Sequence, residues 1–190
     1  MRARNRRDPP EVFDVDGLIA DCVAARGDSD PRRAVKEVLT RAVASGSGIA
    51  DALPPDRAQF MPLHVTPELT VLKVVWTPGM RLFPHNHKMW AAISIYSGGE
   101  DNTFYRRSSD GLTESGGTEL RAHDVCLLGD DTIHAVTNPT SSYTGAIHVY
   151  GGDLIHAERS QWSFDTFEER PYDVEGTRQY FEDQNAQFEN

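Results

Sequence analysis

Residues 79–99 read GMRLFPHNHKMWAAISIYSGG. Within this stretch His85 and His87 stand two apart. Alternate side chains of a strand share a face, so both imidazoles can point at one metal ion. The pair alone is weak evidence, because two surface histidines can have the same spacing. The frame around it is more specific. Gly79 precedes His85 by six residues, and Gly98-Gly99 closes the following strand. A second stretch, HDVCLLGDDTIHAVTN (123–138), places His134 at the head of a later strand, with Asn138 four residues on.

Around these motifs the chain breaks into short runs rich in β-branched and aromatic residues. LTVLKVVW (69–76), KMWAAISIY (88–96), NTFYRR (102–107), DVCLL (124–128), HAVTN (134–138) and GAIHVY (145–150) read as strands. TPG, SGGEDN, ESGG, GDD and NPTSS read as the turns between them. Many short strands with frequent turns predict an antiparallel barrel or sandwich, the double-sheet jelly roll included. Upstream, Val15, Leu18, Ile19, Cys22 and Val23 recur at helical spacing. Asp30-Pro31 opens a second helix: Asp caps free N–H groups and Pro suits the first turn. Its apolar face is Ala34, Val35, Val38, Leu39, Ala42 and Val43, and its end is expected near Ser45-Gly46, ahead of Pro54-Pro55. EGTRQYFEDQNAQF reads as a final helix in an otherwise irregular, acidic tail. The expected divisions are a disordered tail (1–10), N-terminal helices packing on the barrel (11–55), the barrel (56–165) and a C-terminal extension (166–190).

The two histidine motifs resemble those of the cupin superfamily, over roughly residues 70–150. The resemblance implies a mainly β fold, the cupin double-stranded β-helix or jelly-roll barrel, with helices added at the N-terminus. It also implies one metal inside the barrel, held by His85, His87 and His134. Most metal-binding cupins add a glutamate, separated from the HxH pair by three or four residues. Here Ala91 and Ala92 occupy those places. The second motif departs too: its usual Gly-Asp start is His123-Asp124, and its usual Pro-x-Gly is Gly129-Asp130-Asp131. Three neutral imidazoles leave a divalent metal its full charge and about three open positions of an octahedral shell. Such a site suits an anionic substrate together with dioxygen. It points to Fe2+, with Zn2+, Ni2+ and Mn2+ as alternatives for the same ligands.

A three-histidine site without glutamate is similar to that of the thiol dioxygenases of the cysteine dioxygenase type. Those enzymes carry a His-x-Tyr pair near the iron, matched here by His148 and Tyr150 in AIHVY. The resemblance implies catalytic roles: the phenol as donor to the reacting oxygen, the imidazole fixing its orientation. Trp76, nine residues before His85, also fits. The usual serine two residues before this histidine is Ala146. Ala92 stands where some members have a cysteine cross-linked to the tyrosine, so no cross-link is expected. The arginine that grips the substrate carboxylate ahead of the first motif is missing from AQFMPLHVT (58–66), which offers only His64. Arg159, nine residues beyond Tyr150, matches an arginine of related mercapto-acid dioxygenases, and Arg81 is a further candidate. Arginine suits the task because its planar fork pairs with a carboxylate at two points. The implied function is a non-haem iron dioxygenase oxidising a small thiol to the sulfinate, with that substrate and dioxygen as partners. Two alternatives stay open: a three-His iron enzyme cleaving a β-dicarbonyl compound, and a non-catalytic, metal-loaded cupin that binds or senses a small molecule.

Composition bounds these readings. A length of 190 residues suits one domain. A net charge of −10 argues against a nucleic-acid partner. The arginines of MRARNRRDPP are followed by no apolar run, so the segment is not a secretory signal. No stretch approaches the roughly 18 apolar residues of a membrane span. Cys22 and Cys126 read as two reduced thiols of a cytoplasmic protein. Cupins often pair through barrel faces, so a homodimer is compatible with the reading.

Overall fold

The computed structural model describes residues 12–44, 47–109 and 111–188. The tail expected over 1–10 and the helix end expected at Ser45-Gly46 lie outside the described residues. Helices α1 (Val15–Ala25) and α2 (Pro31–Ala42) come first, followed by the single turn α3 (Ile49–Ala52). Each of the first two starts where an aspartate accepts an orphan backbone N–H: Asp14 from Gly17 at 2.9 Å, and Asp30 from Arg33 at 3.2 Å. The strands are β1 (Gln59–Val65), β2 (Thr70–Trp76), β3 (Arg81–Asn86), β4 (Ala91–Ser97), β5 (Gly99–Ser108), β6 (Gly111–Arg121), β7 (Val125–Leu128), β8 (Ile133–Thr137), β9 (Thr144–Tyr150), β10 (Ser160–Trp162) and β11 (Glu169–Pro171). Helix α4 (Val174–Phe188) ends the described chain.

One sheet runs β1-β2-β9-β4-β7 and the other β11-β10-β3-β8-β5-β6. All pairs are antiparallel. From β2 to β9 the chain crosses between sheets at every connection except the β5–β6 hairpin. That order makes the eight-stranded jelly roll, the double-stranded β-helix.

Alternation along the strands separates two apolar clusters. Leu72, Val74, Trp76, Ile93, Ala146 and Tyr150 point into the barrel. Val71, Ala92, Ile147 and Val149 point out and pack on Leu18, Cys22, Val35 and Leu39 of the helices. Strands β2 and β9 are therefore buried on both faces, which accounts for their nearly continuous apolar sequences. His123 carries φ 81°, a conformation that favours glycine and accounts for the glycine usual at that motif position. Its ring meets the Val43 carbonyl at the end of α2. Cys22 and Cys126 are both free thiols, and burial pushes each up to about 12. No helix among the described residues is long and apolar enough to cross a membrane.

Two expectations need correction. The ESGG segment is not a turn: β6 runs straight through it, with Gly116 at φ 140° and a register shift opposite Phe104/Tyr105. A β-bulge, not a chain reversal, uses these glycines. In SGGEDN only Gly98 turns, and β5 begins at Gly99. The final helix read in EGTRQYFEDQNAQF is present as α4. Helix α4 buries Phe181 against Trp76, ring centroids 5.1 Å apart. Asn185 holds both the N–H and the C=O of Ala58, at 2.7 and 3.1 Å.

Gly98 and Gly79 separate two costs. Both have positive φ, 73° and 72°. A Cβ on Gly98 would sit 2.4 Å from Thr144 Oγ1 and 2.9 Å from the Tyr143 carbonyl oxygen, whereas nothing lies within 4 Å at Gly79. Gly79→Ala is expected to lose only the backbone term, about 1–3 kcal/mol. Gly98→Ala adds an overpacking term of about 1–3 kcal/mol. Urea midpoints check the order; equal losses would show that the β4–β5 corner yields freely.

Candidate metal centre

The barrel register assembles the histidines. His85 on β3 lies directly opposite His134 on β8, and His87 follows the end of β3. Asn86 between them points the other way, and its Oδ1 accepts the Ser160 N–H at 2.8 Å. All three imidazoles are buried. His87 Nε2 is 3.2 Å from His85 Nε2 and 3.3 Å from His134 Nε2.

Hydrogen bonding at the far side of two rings decides what faces the centre. His85 Nδ1 lies 3.0 Å from the Phe83 carbonyl, which can only accept, so that nitrogen carries the proton. His134 Nδ1 lies 2.6 Å from Asn102 Oδ1. Asn102 Nδ2 in turn donates to Glu100 Oε1 at 3.0 Å, which fixes the amide orientation and puts the proton on His134 Nδ1. The Nε2 atoms of His85 and His134 are therefore lone pairs. His87 can donate to only one of them, and its Nδ1 is buried with no hydrogen bond. A cation at the centre relieves this arrangement. The three rings each offer one nitrogen close enough together for a single ion to be held by all of them. Burial, then the neighbouring imidazoles and Arg159, hold His85 and His87 well below the ordinary histidine range. Burial brings His134 down to about 4. All three are thus neutral imidazoles at pH 7. No carboxylate belongs to the cluster; Ala91 packs in the barrel core and Ala92 outside it.

The three histidines line a small cavity together with His148, Tyr150, Arg159 and Tyr172. Its free space is ≈ 20 Å³. As alternation requires, His148 and Tyr150 face inward, and His148 Nδ1 is 3.0 Å from the Tyr150 hydroxyl. The Tyr150 ring meets His87 edge to face, centroids 4.9 Å apart. Arg159 is buried, with Nε on the Leu154 carbonyl and Nη1 on the Asn86 carbonyl, both at 3.4 Å. Its guanidinium stacks on the Tyr172 ring at 3.3 Å.

The other two anchor candidates are not brought here. Arg81 is exposed on β3 and lies over the Phe164 ring, 4.8 Å from its centroid. His64 is half-buried on the edge strand β1, opposite Val71. Neither lines the cavity. Conversely, Glu100, Asn102 and Tyr172 belong to the site's surroundings and were not singled out in the sequence. The usable signal was the i, i+2 spacing of Glu100 and Asn102, which shares one face once β5 is extended to Gly99.

No family model matches the chain. Among solved structures it is similar to an uncharacterised double-stranded β-helix protein of Klebsiella pneumoniae, at 15% identity, over 56% of this chain and 80% of that one, TM-score 0.46. A cupin superfamily protein of Desulfitobacterium hafniense gives 14%, 52%, 80% and 0.43 for the same quantities. An oxalate oxidase in complex with the substrate analogue glycolate gives 17%, 45%, 42% and 0.38. The strand order, and not these partial overlaps, carries the fold.

His85→Ala, His87→Ala and His134→Ala are each expected to lose most bound metal while remaining folded. Metal content by elemental analysis, with circular dichroism alongside, checks this. Undiminished metal in His134→Ala would break the three-histidine assignment.

Proposed function

We propose that this chain is a non-haem iron dioxygenase that oxidises a small carboxylated thiol to its sulfinate. The observation that carries the reading is Arg159. A buried guanidinium lines the same small cavity as three neutral imidazoles and the His148/Tyr150 pair. Fe2+ would be held by His85, His87 and His134; when bound it supplies the positive charge that favours a thiolate and the electrons that activate dioxygen. The reaction balances without an outside reductant: RSH and O2 give RSO2H.

The protein's own groups bind and orient. Arg159 is held by two carbonyls and a stacked ring, so its fork is preorganised for a carboxylate. Its Nη2 makes no hydrogen bond to the described residues. The apolar walls, including Val74, Leu82 and Leu154, exclude water from the reacting end. A free space of ≈ 20 Å³ is about one water's worth, less than any thiol needs. Substrate entry therefore requires side chains at the mouth to move, and Tyr172, half-buried over Arg159, is placed to do so.

Oxygen uptake by anaerobically iron-loaded protein tests the reading against a panel of mercapto-acids, thiol amines and β-diketones. Uptake is expected with a mercapto-acid. Arg159→Ala is expected to raise KM for carboxylated thiols by roughly ten- to a hundred-fold, the worth of a charged hydrogen bond of about 1.5–3 kcal/mol, and to spare thiol amines. Tyr150→Phe is expected to lower turnover with metal content unchanged. Uptake with a β-diketone and with no thiol would overturn the proposal.

A further inference from the structure

Glu100 is fully buried on β5 and sits where two chains of polar contacts meet. Its Oε2 accepts the indole N–H of Trp76 at 3.0 Å, and its Oε1 accepts the Asn102 amide at 3.0 Å. The first chain runs through Asn102 to His134, as described above. The second begins at His148, whose Nε2 lies 3.4 Å from Glu100 Oε2. That nitrogen is buried, and no hydrogen bond of good geometry reaches it, so the carboxylate is its polar neighbour. Both carboxyl oxygens are taken by N–H donors, Trp76 on one and Asn102 on the other, the pattern of an ionised carboxylate. Glu100 is therefore a carboxylate at neutral pH.

A carboxylate can only accept. A lone pair on His148 Nε2 facing it at 3.4 Å would be repelled, so this nitrogen carries the ring proton. In a neutral ring His148 Nδ1 is then the acceptor, and the Tyr150 hydroxyl 3.0 Å away must be the donor. We propose that Glu100 is a positioning residue that fixes His148 in the Nε2–H tautomer, so that Tyr150 gives its proton to His148 and turns a bare phenol oxygen, an acceptor, toward the cavity. This reverses the polarity expected of Tyr150 from the family resemblance, where it donates to the reacting oxygen. The group that Tyr150 recognises is then a donor. On the thiol reading, on which this one identification rests, that group is the ammonium of a cysteine-like substrate.

Glutamine does not reproduce the arrangement. Its amide nitrogen would face either the Trp76 N–H or the Asn102 N–H, leaving a buried donor unpaired. The same change disturbs the outer support of His134, a loss that typically weakens metal binding 10–100-fold.

The test is a two-bond 1H–15N correlation spectrum of zinc-loaded, 15N-histidine-labelled protein, zinc being diamagnetic. The His148 signals are assigned by comparison with His148→Asn. In the wild type His148 is expected as the neutral Nε2–H tautomer. In Glu100→Gln the share of that tautomer is expected to fall, and zinc affinity to drop about 10–100-fold. A wild-type ring protonated on Nδ1, or on both nitrogens, overturns the proposal. So does a folded Glu100→Gln protein whose His148 is as fully Nε2–H as the wild type. If the variant does not fold, the wild-type spectrum still decides. The spectra need neither thiol nor oxygen, so this inference and the proposed activity fail separately.

Discussion

Three imidazoles converging nitrogen to nitrogen inside a dry barrel is an unfavourable arrangement for the protein alone. Two of the three facing nitrogens are lone pairs, because the Phe83 carbonyl and Asn102 hold the protons on the opposite side of their rings. His87 can donate to only one of them, and the rings are too buried to turn to water. A cation resolves it, and much of the surrounding structure serves to prevent any other resolution. The β3–β8 register sets His85 against His134. Asn86 ties the β3 end to Ser160, which keeps His87 from swinging out. Helices α1 and α2 cover the outer face of the β2-β9-β4 sheet, so both faces of its strands are held.

A metal held by three neutral ligands would keep its full charge, and the buried Glu100 carboxylate lies outside the histidine cluster. Glu100 is bonded instead to Trp76 and Asn102. The alanines at the expected glutamate positions thus do not mean that the site lacks a carboxylate. They mean that the carboxylate acts from outside, through Asn102, on the orientation of His134. Open metal positions and a compensating negative charge can then coexist, which a ligating carboxylate would not allow to the same degree. Arg159 adds a fixed positive charge to the lining of the same cavity.

The barrel was legible because its signals are local. Period-two alternation in GAIHVY separates Ile147 and Val149 from His148 and Tyr150, and the packing follows that division. The clustering of His85, His87 and His134 was legible because motif spacing survives even where the loops around it have diverged. What escaped depends on distant neighbours. Glu100 sits in a glycine-rich stretch that reads as a turn, and only its pairing with β6 and β8 makes it a strand residue facing the core. Strand β6 is interrupted by glycines that a bulge requires. Helix α4 has few apolar residues, but Phe181 and Asn185 fit one end of the barrel, and no periodicity announces such a fit. Choosing among Arg159, Arg81 and His64 needed the path of the chain after β9, which no local pattern encodes.

The most direct measurement is a crystal structure of the metal-loaded protein, with the metal located by anomalous scattering. The account predicts one ion bound by the Nε2 atoms of His85, His87 and His134 at about 2.0–2.2 Å, with the Glu100 carboxylate still bonded to Trp76 and Asn102. An oxygen of Glu100 on the ion, or an ion held by fewer than three of these imidazoles, would contradict it.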